Sequence, residues 1–133
     1  VIDLDTVMPG SILFDFGDAI RSGVNTAEED EPDLSKVHVD LAYYRAFARG
    51  FLEQTRDSMT ALERDLLPFS AKMMTYECGT RFLADYLRGD TYFRIHRPGQ
   101  NLDRARTQFK LVAELEALEP ELKRIQEELM HGN

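Results

Sequence analysis

VIDLDTVMPGSILFDFGDAIR, residues 1–21, is the stretch on which the reading of the fold turns. Its first five residues alternate, with Val1, Asp3 and Asp5 on one side and Ile2 and Leu4 on the other, the period of a strand. Strand spacing sets the Cα atoms of Asp3 and Asp5 about 6.5–7 Å apart on one face. Met8-Pro9-Gly10 then turns the chain, since proline fixes φ and glycine tolerates the left-handed region. Ser11 to Arg21 reads as a short helix, with Ile12, Phe16 and Ile20 at helical spacing. Two acids at a strand end, opening into a loop, suit a hard cation: magnesium on a nucleotide needs one or two protein carboxylates. Without a cation the pair would repel and raise one pKa. A strand at a terminus needs ladder partners from another piece of chain, and no initiator Met precedes it, so an internal fragment of a longer protein is the expectation.

Downstream the pattern is helical. The run Glu28-Glu29-Asp30-Glu31-Pro32-Asp33 is too densely charged to pack and reads as a solvated loop. Apolar residues from Leu41 to Leu52 recur every three or four positions, which predicts an amphipathic helix over about 39–56. Thr60 and Glu63 form a T-x-x-E capping box. The helix it opens is interrupted or restarted at Pro68 and runs to Gly89 as the central buried helix. Residues 89–100 read as a loop, Asn101 as the N-cap of the next helix, and Pro120 as part of the first turn of a last one. The sum is one strand followed by about five helices, a mainly α chain forming one unit over residues 1–133.

Composition narrows the function classes. With 133 residues and 43% hydrophobic content the chain can bury one real core. A net charge of −8 argues against nucleic acid or an anionic membrane surface as the main partner, because either needs a basic face. The single cysteine, Cys78, reads as a plain buried thiol, and His38, His96 and His131 as surface residues. No apolar run reaches the length of a membrane span and no signal peptide opens the chain, so a cytoplasmic protein is the default. Against this acidic background, residues 81–110 carry seven Lys or Arg and three acids. Arg81, Asp85 and Arg88 share a helix face and read, from spacing alone, as intrahelical ion pairs.

The string from Val1 to Arg21 resembles the metal-binding strand, turn and D-[ILF]-[GA] helix of the aminoglycoside-phosphotransferase and choline-kinase group. Asp3 falls at that family's magnesium aspartate, the counterpart of the Asp in a protein kinase's D-F-G. Asp5 falls where some members place a second acidic ligand. Asp15, in Phe14-Asp15-Phe16-Gly17, matches the aspartate that braces the catalytic loop. Within the group the chain is similar to the N-acetylhexosamine 1-kinases, in LDTVMPG, FDFGD, RFLADYLRGDTYF and NLDRARTQFKLV. Some of those relatives carry a mucin-desulfatase label, but no sulfatase-type Cys/Ser motif is present.

The resemblance implies the helical C-lobe of a protein-kinase-like fold, with a short N-terminal strand. It implies ATP with Mg2+ as co-substrate and transfer of the γ-phosphoryl to the anomeric hydroxyl of a small sugar. Arg81 and Tyr92 would donate hydrogen bonds to that sugar, with Thr6 a further candidate beside the metal acids. The catalytic base and metal-holding Asn of an H-x-D-x-x-x-x-N loop, and a Gly-rich phosphate loop with its lysine, are not in this sequence. The missing N-terminal portion would supply them, and the piece alone would be inactive. Two other readings stand beside this one. A haloacid-dehalogenase-type phosphatase would use Asp3-x-Asp5 as its nucleophile motif, but it requires further βαβ units and usually a Gly where Thr6 stands. A non-catalytic helical interaction module would dock through the acidic loop at 28–33 and the first strand.

Overall fold

The computed structural model describes residues 7–132; the expected strand, with Asp3, Asp5 and Thr6, lies outside the described residues. Among those described there are six α-helices and no strand: α1 Ile12–Gly23, α2 Leu41–Thr55, α3 Ala61–Asp65, α4 Leu67–Leu87, α5 Gln100–Ala117 and α6 Glu119–His131. The protein is therefore mainly helical over its described length. The repeated βαβ units that the phosphatase reading requires do not occur there. No described helix is long and apolar enough to cross a membrane.

Local chemistry sets most of the boundaries. The Ser11 hydroxyl accepts from the Leu13 N–H and opens α1, and the Asp40 carboxylate accepts from the Tyr43 N–H and opens α2. The capping box forms as expected, with Thr60 Oγ1 accepting from Glu63 N–H at 3.1 Å and Glu63 Oε2 accepting from Thr60 N–H at 2.7 Å. It opens only the single turn of α3. Pro68 then stands in the first turn of α4, so the break expected at Pro68 is a full restart, and six α-helices stand among the described residues where about five were expected.

One expected cap is wrong. Asn101 lies inside α5, fully buried, and the N-cap is Gly99, whose φ of 75° only glycine adopts freely. The asparagine side chain is spent on tertiary bonds instead, which a cap would not allow.

α4 runs through the centre of the molecule, with α1 against one side and α5 against the other. Its buried residues include Ser70, Ala71, Thr75, Gly79 and Phe82, while Tyr76 and Leu87 are exposed. A helix sandwiched on two sides needs small residues at both seams so that backbones can approach. Gly17 of α1 lies against the backbone of Ser70, and Gly79 lies against Gln108 and Phe109 of α5.

The core fills the end of the bundle away from residues 89–100. Phe16 meets the Tyr44 ring edge-on, with centroids 6.0 Å apart and planes at 88°, and Ala48, Leu52, Leu67, Leu115, Leu122 and Ile125 close around them. Tyr44 is completely buried and its hydroxyl has no hydrogen-bond partner among the described residues. Burial drives its pKa far above the usual tyrosine value. An unpaired buried hydroxyl carries a desolvation cost with no return. Tyr44→Phe is thus expected to raise stability by about 1 kcal/mol in urea or thermal unfolding.

The acidic run is only half solvated. An isolated antiparallel bridge joins Asn25 to Val39, and the Asp40 N–H donates to the Val24 carbonyl at 2.8 Å, so segment 24–40 closes on itself. Its middle is then tied to α5 and to the loop before it. Arg97 Nη2 donates to the Asp30 carbonyl at 2.9 Å, Gln100 Nε2 donates to Asp30 Oδ2 at 3.1 Å, and Thr107 Oγ1 donates to the Glu31 carbonyl at 3.2 Å. The basic island at 81–110 supplies the partners that the run's own sequence lacks.

Candidate functional site

Gly89 and Asp90 end α4 with φ values of 96° and 58°. Two consecutive residues in the left-handed region double the chain back, so the next N–H groups meet the last turn of the helix they have just left. Asp85 waits for them there. Its Oδ1 accepts from the Thr91 N–H at 3.0 Å and the Tyr92 N–H at 2.8 Å. Its Oδ2 accepts from the Phe93 N–H at 3.0 Å and from Asn101 Nδ2 at 2.9 Å. The same Asn101 amide reaches Asp90 Oδ1 at 3.0 Å, and Arg104 Nη1 donates to Asn101 Oδ1 at 2.9 Å.

The expected ion pairs of Asp85 with Arg81 and Arg88 do not form: Asp85 is only 4% exposed and its oxygens are filled by the loop, and Arg81 pairs with Glu77 at 3.8 Å instead. Burial is the largest single influence on the Asp85 carboxyl and pushes its pKa up. The N–H groups of Phe93, Tyr92 and Thr91 together outweigh it and hold the carboxyl below the usual carboxylate value.

That anchor builds a ledge. Phe93 packs on Phe82 with ring centroids 4.7 Å apart, and Tyr92 stands against Phe93 at 4.9 Å. The Arg81 guanidinium sits over both rings, 5.8 Å from the Tyr92 centroid and 5.5 Å from that of Phe93. Tyr92 remains 74% exposed. An open hollow of about 410 Å³ is lined by this ledge together with Ala84, Asp85, Arg88 and Thr91. The two described residues expected to touch a sugar, Arg81 and Tyr92, thus come together on one surface with an aromatic face, a phenol and a cation.

A second hollow, about 610 Å³, shares Arg81 and Phe93 with the first and extends to α1 and the acidic run. Cys78 lines it half-buried; burial raises its thiol pKa and the nearby Arg21 charge only partly offsets that, so it stays protonated at neutral pH.

The remaining expected residues divide. Asp3, Asp5 and Thr6 are outside the described residues. Asp15 is exposed on the first turn of α1 and lines neither hollow. His38, His96 and His131 are exposed, as expected. His38-Val39-Asp40 begins an H-x-D string, but Asp40 caps α2, His38 Nδ1 lies 3.1 Å from Glu114, and Arg45 stands where the asparagine of a catalytic loop would be. No group of three or more His, Cys, Asp or Glu able to hold a metal occurs among the described residues. Asp85 and Asn101 are the site residues that spacing alone misassigned. The signal that identifies them is Gly89-Asp90, which returns three amides to an acid one turn back. A scan of the sequence against models of known protein families finds no match.

Proposed function

We propose that this chain is the substrate-holding helical lobe of an ATP-dependent phosphotransferase acting on a small sugar, an N-acetylhexosamine in the first instance, at its anomeric hydroxyl. The observation that carries the reading is the Arg81–Tyr92 ledge. The residues that the resemblance to N-acetylhexosamine 1-kinases assigns to sugar contact stand beside one hollow, held by a loop that a buried carboxylate fixes.

A pyranose offers an apolar face and a rim of hydroxyls, and an aromatic ring beside a guanidinium complements both. Arg81 would donate to a hydroxyl or to the N-acetyl carbonyl, and the Tyr92 hydroxyl to a second oxygen. Asp85 would act only through the loop, fixing where Tyr92 stands. Magnesium-bound ATP would supply the phosphoryl group. Its acids on this reading are Asp3 and Asp5, and the proton acceptor and nucleotide-binding parts would come from elsewhere in the intact protein. Such a transfer depends on positioning and charge neutralisation more than on covalent chemistry.

The test is ADP release by the intact protein across a panel of free hexosamines, hexoses, amino alcohols and 1-O-methyl glycosides. Sugar-dependent release that the 1-O-methyl group abolishes is the expected result. Release with no member of the panel, or undiminished release with the blocked glycoside, would overturn the reading. In the active protein, Arg81→Gln is expected to raise the sugar KM about tenfold with kcat little changed, because a charged hydrogen bond made in both ground and transition states is lost.

A further inference from the structure

We infer that the second hollow, between α1, α4 and the loop 89–100, binds the phosphoryl group of a small-molecule phosphate monoester, with the Glu29 carboxylate holding its place when it is absent. This rests on the arrangement around Arg21 and Arg104 and not on the kinase reading. Both arginines are nearly covered, their side chains 14% and 15% exposed, whereas the Glu29 side chain between them is 47% exposed. Glu29 Oε2 accepts from Arg21 Nη1 at 3.2 Å, and Oε1 lies 3.8 Å from Arg104 Nε. One half-exposed carboxylate therefore stands between two fixed guanidiniums, hydrogen-bonded to one and within ion-pair distance of the other, a place that a phosphate oxygen pair can take.

The arginines are fixed by other bonds. Arg21 Nε donates to Asp18 at 2.9 Å; Arg104 Nη1 donates to the Arg94 carbonyl at 3.1 Å and to Asn101, and its guanidinium lies 5.6 Å from the Phe82 ring centre. Neither needs Glu29 to hold its position. The Nη2 groups of both have no acceptor among the described residues, and neither is sealed from solvent.

Charge agrees with this. Arg21, Arg81, Arg94 and Arg104 line the hollow with Asp18, Glu29 and Glu77. When Glu29 swings away, four cations face two carboxylates, an excess of two that matches a phosphate monoester dianion. In a chain of net charge −8, such a local excess opposes the overall field and is not a by-product of composition.

The test is titration of the 133-residue chain with inorganic phosphate and with glucose 6-phosphate, followed by calorimetry at fixed ionic strength, which removes general screening as a cause. Glu29→Gln, a change at a half-exposed side chain, is expected to tighten phosphate binding about fivefold or more, because the carboxylate that competes with the anion for both arginines loses its charge. Arg94→Gln, also exposed, is expected to weaken it about threefold without lowering the melting temperature. Equal affinity for the two probes, or tighter binding of the ester, both support the site, the second adding a contact from the rim. Unchanged or weaker binding in Glu29→Gln, or no saturable binding in either form, would overturn it. Failure of this test leaves the sugar-panel result untouched, and the reverse holds too.

Discussion

Asp85→Asn is expected to lower the melting temperature by roughly 5–10 °C and to free the loop that carries Tyr92. The asparagine side chain has the right size but the wrong chemistry. Oδ1 can still accept from Thr91 and Tyr92, but an amide nitrogen at the second position points its hydrogens at two other donors, the Phe93 N–H and Asn101 Nδ2. Two bonds are lost, and buried donors are left facing each other. Amide exchange at Thr91, Tyr92 and Phe93 should accelerate far more than at Thr75 or Leu111, which sit in helix interiors.

The same carboxylate gives the protein an acid limb. Its pKa is depressed in the folded state, so its contribution to stability is complete above the ordinary aspartate value. That contribution is lost as pH falls through the folded value. Glu114, Glu121 and Glu128 are depressed too and act in the same direction, so the informative quantity is the difference between wild type and Asp85→Asn. That difference should shrink as pH falls below about 4. A constant gap down to pH 2 to 3, on the order of a unit or two below the ordinary value, would remove the loop-anchoring role.

Gly17→Ala should destabilise by about 2–3 kcal/mol, although alanine is the better helix former by about 1 kcal/mol. A Cβ at that position would come 2.5 Å from the Ser70 carbonyl oxygen, 3.0 Å from its carbonyl carbon and 2.5 Å from Met74 Cγ. The methionine can turn away; the helix backbone cannot. α1 must lift from α4, and Asp18 and Arg21 move with it, away from the second hollow. Gly50 on α2 is the internal control, since a Cβ there meets nothing within 4 Å and Gly50→Ala should stabilise by about 1 kcal/mol. Denaturant melts that rank the two variants the other way would show that the crossing is looser than described.

Much of the helix plan is written locally. Ser11, the Thr60–Glu63 box, Pro68 and Pro120 each act on neighbours within four residues, and each stands where its chemistry requires. The helix faces were legible only where one side is buried, as with Tyr44, Ala48 and Leu52 on α2. On α4 two sides are buried, the apolar period blurs, and the small residues Ser70 and Gly79 mark the seams better than Tyr76 or Leu87. Only a family likeness pairs Arg81 with Tyr92 in the sequence, and their common ledge is a tertiary fact. For Asp85, i, i+4 spacing misleads because it describes only partners on the same helix, and the partners of this carboxylate arrive after the chain reverses. The acidic run hides its partners for a related reason: Arg21 lies on the preceding helix, and Arg97, which holds Asp30, lies 67 positions downstream.

Those long-range ties make two surface segments into one unit. Residues 24–40 and 89–100 are remote in sequence, yet Arg97 grips Asp30 from one side while Arg104, itself bonded to the Arg94 carbonyl, faces Glu29 from the other. Neither segment swings outward alone without breaking the bonds that steady its neighbour. Local unfolding therefore proceeds as a single cooperative event across both, and a protease that gains access to one gains access to the other in the same excursion.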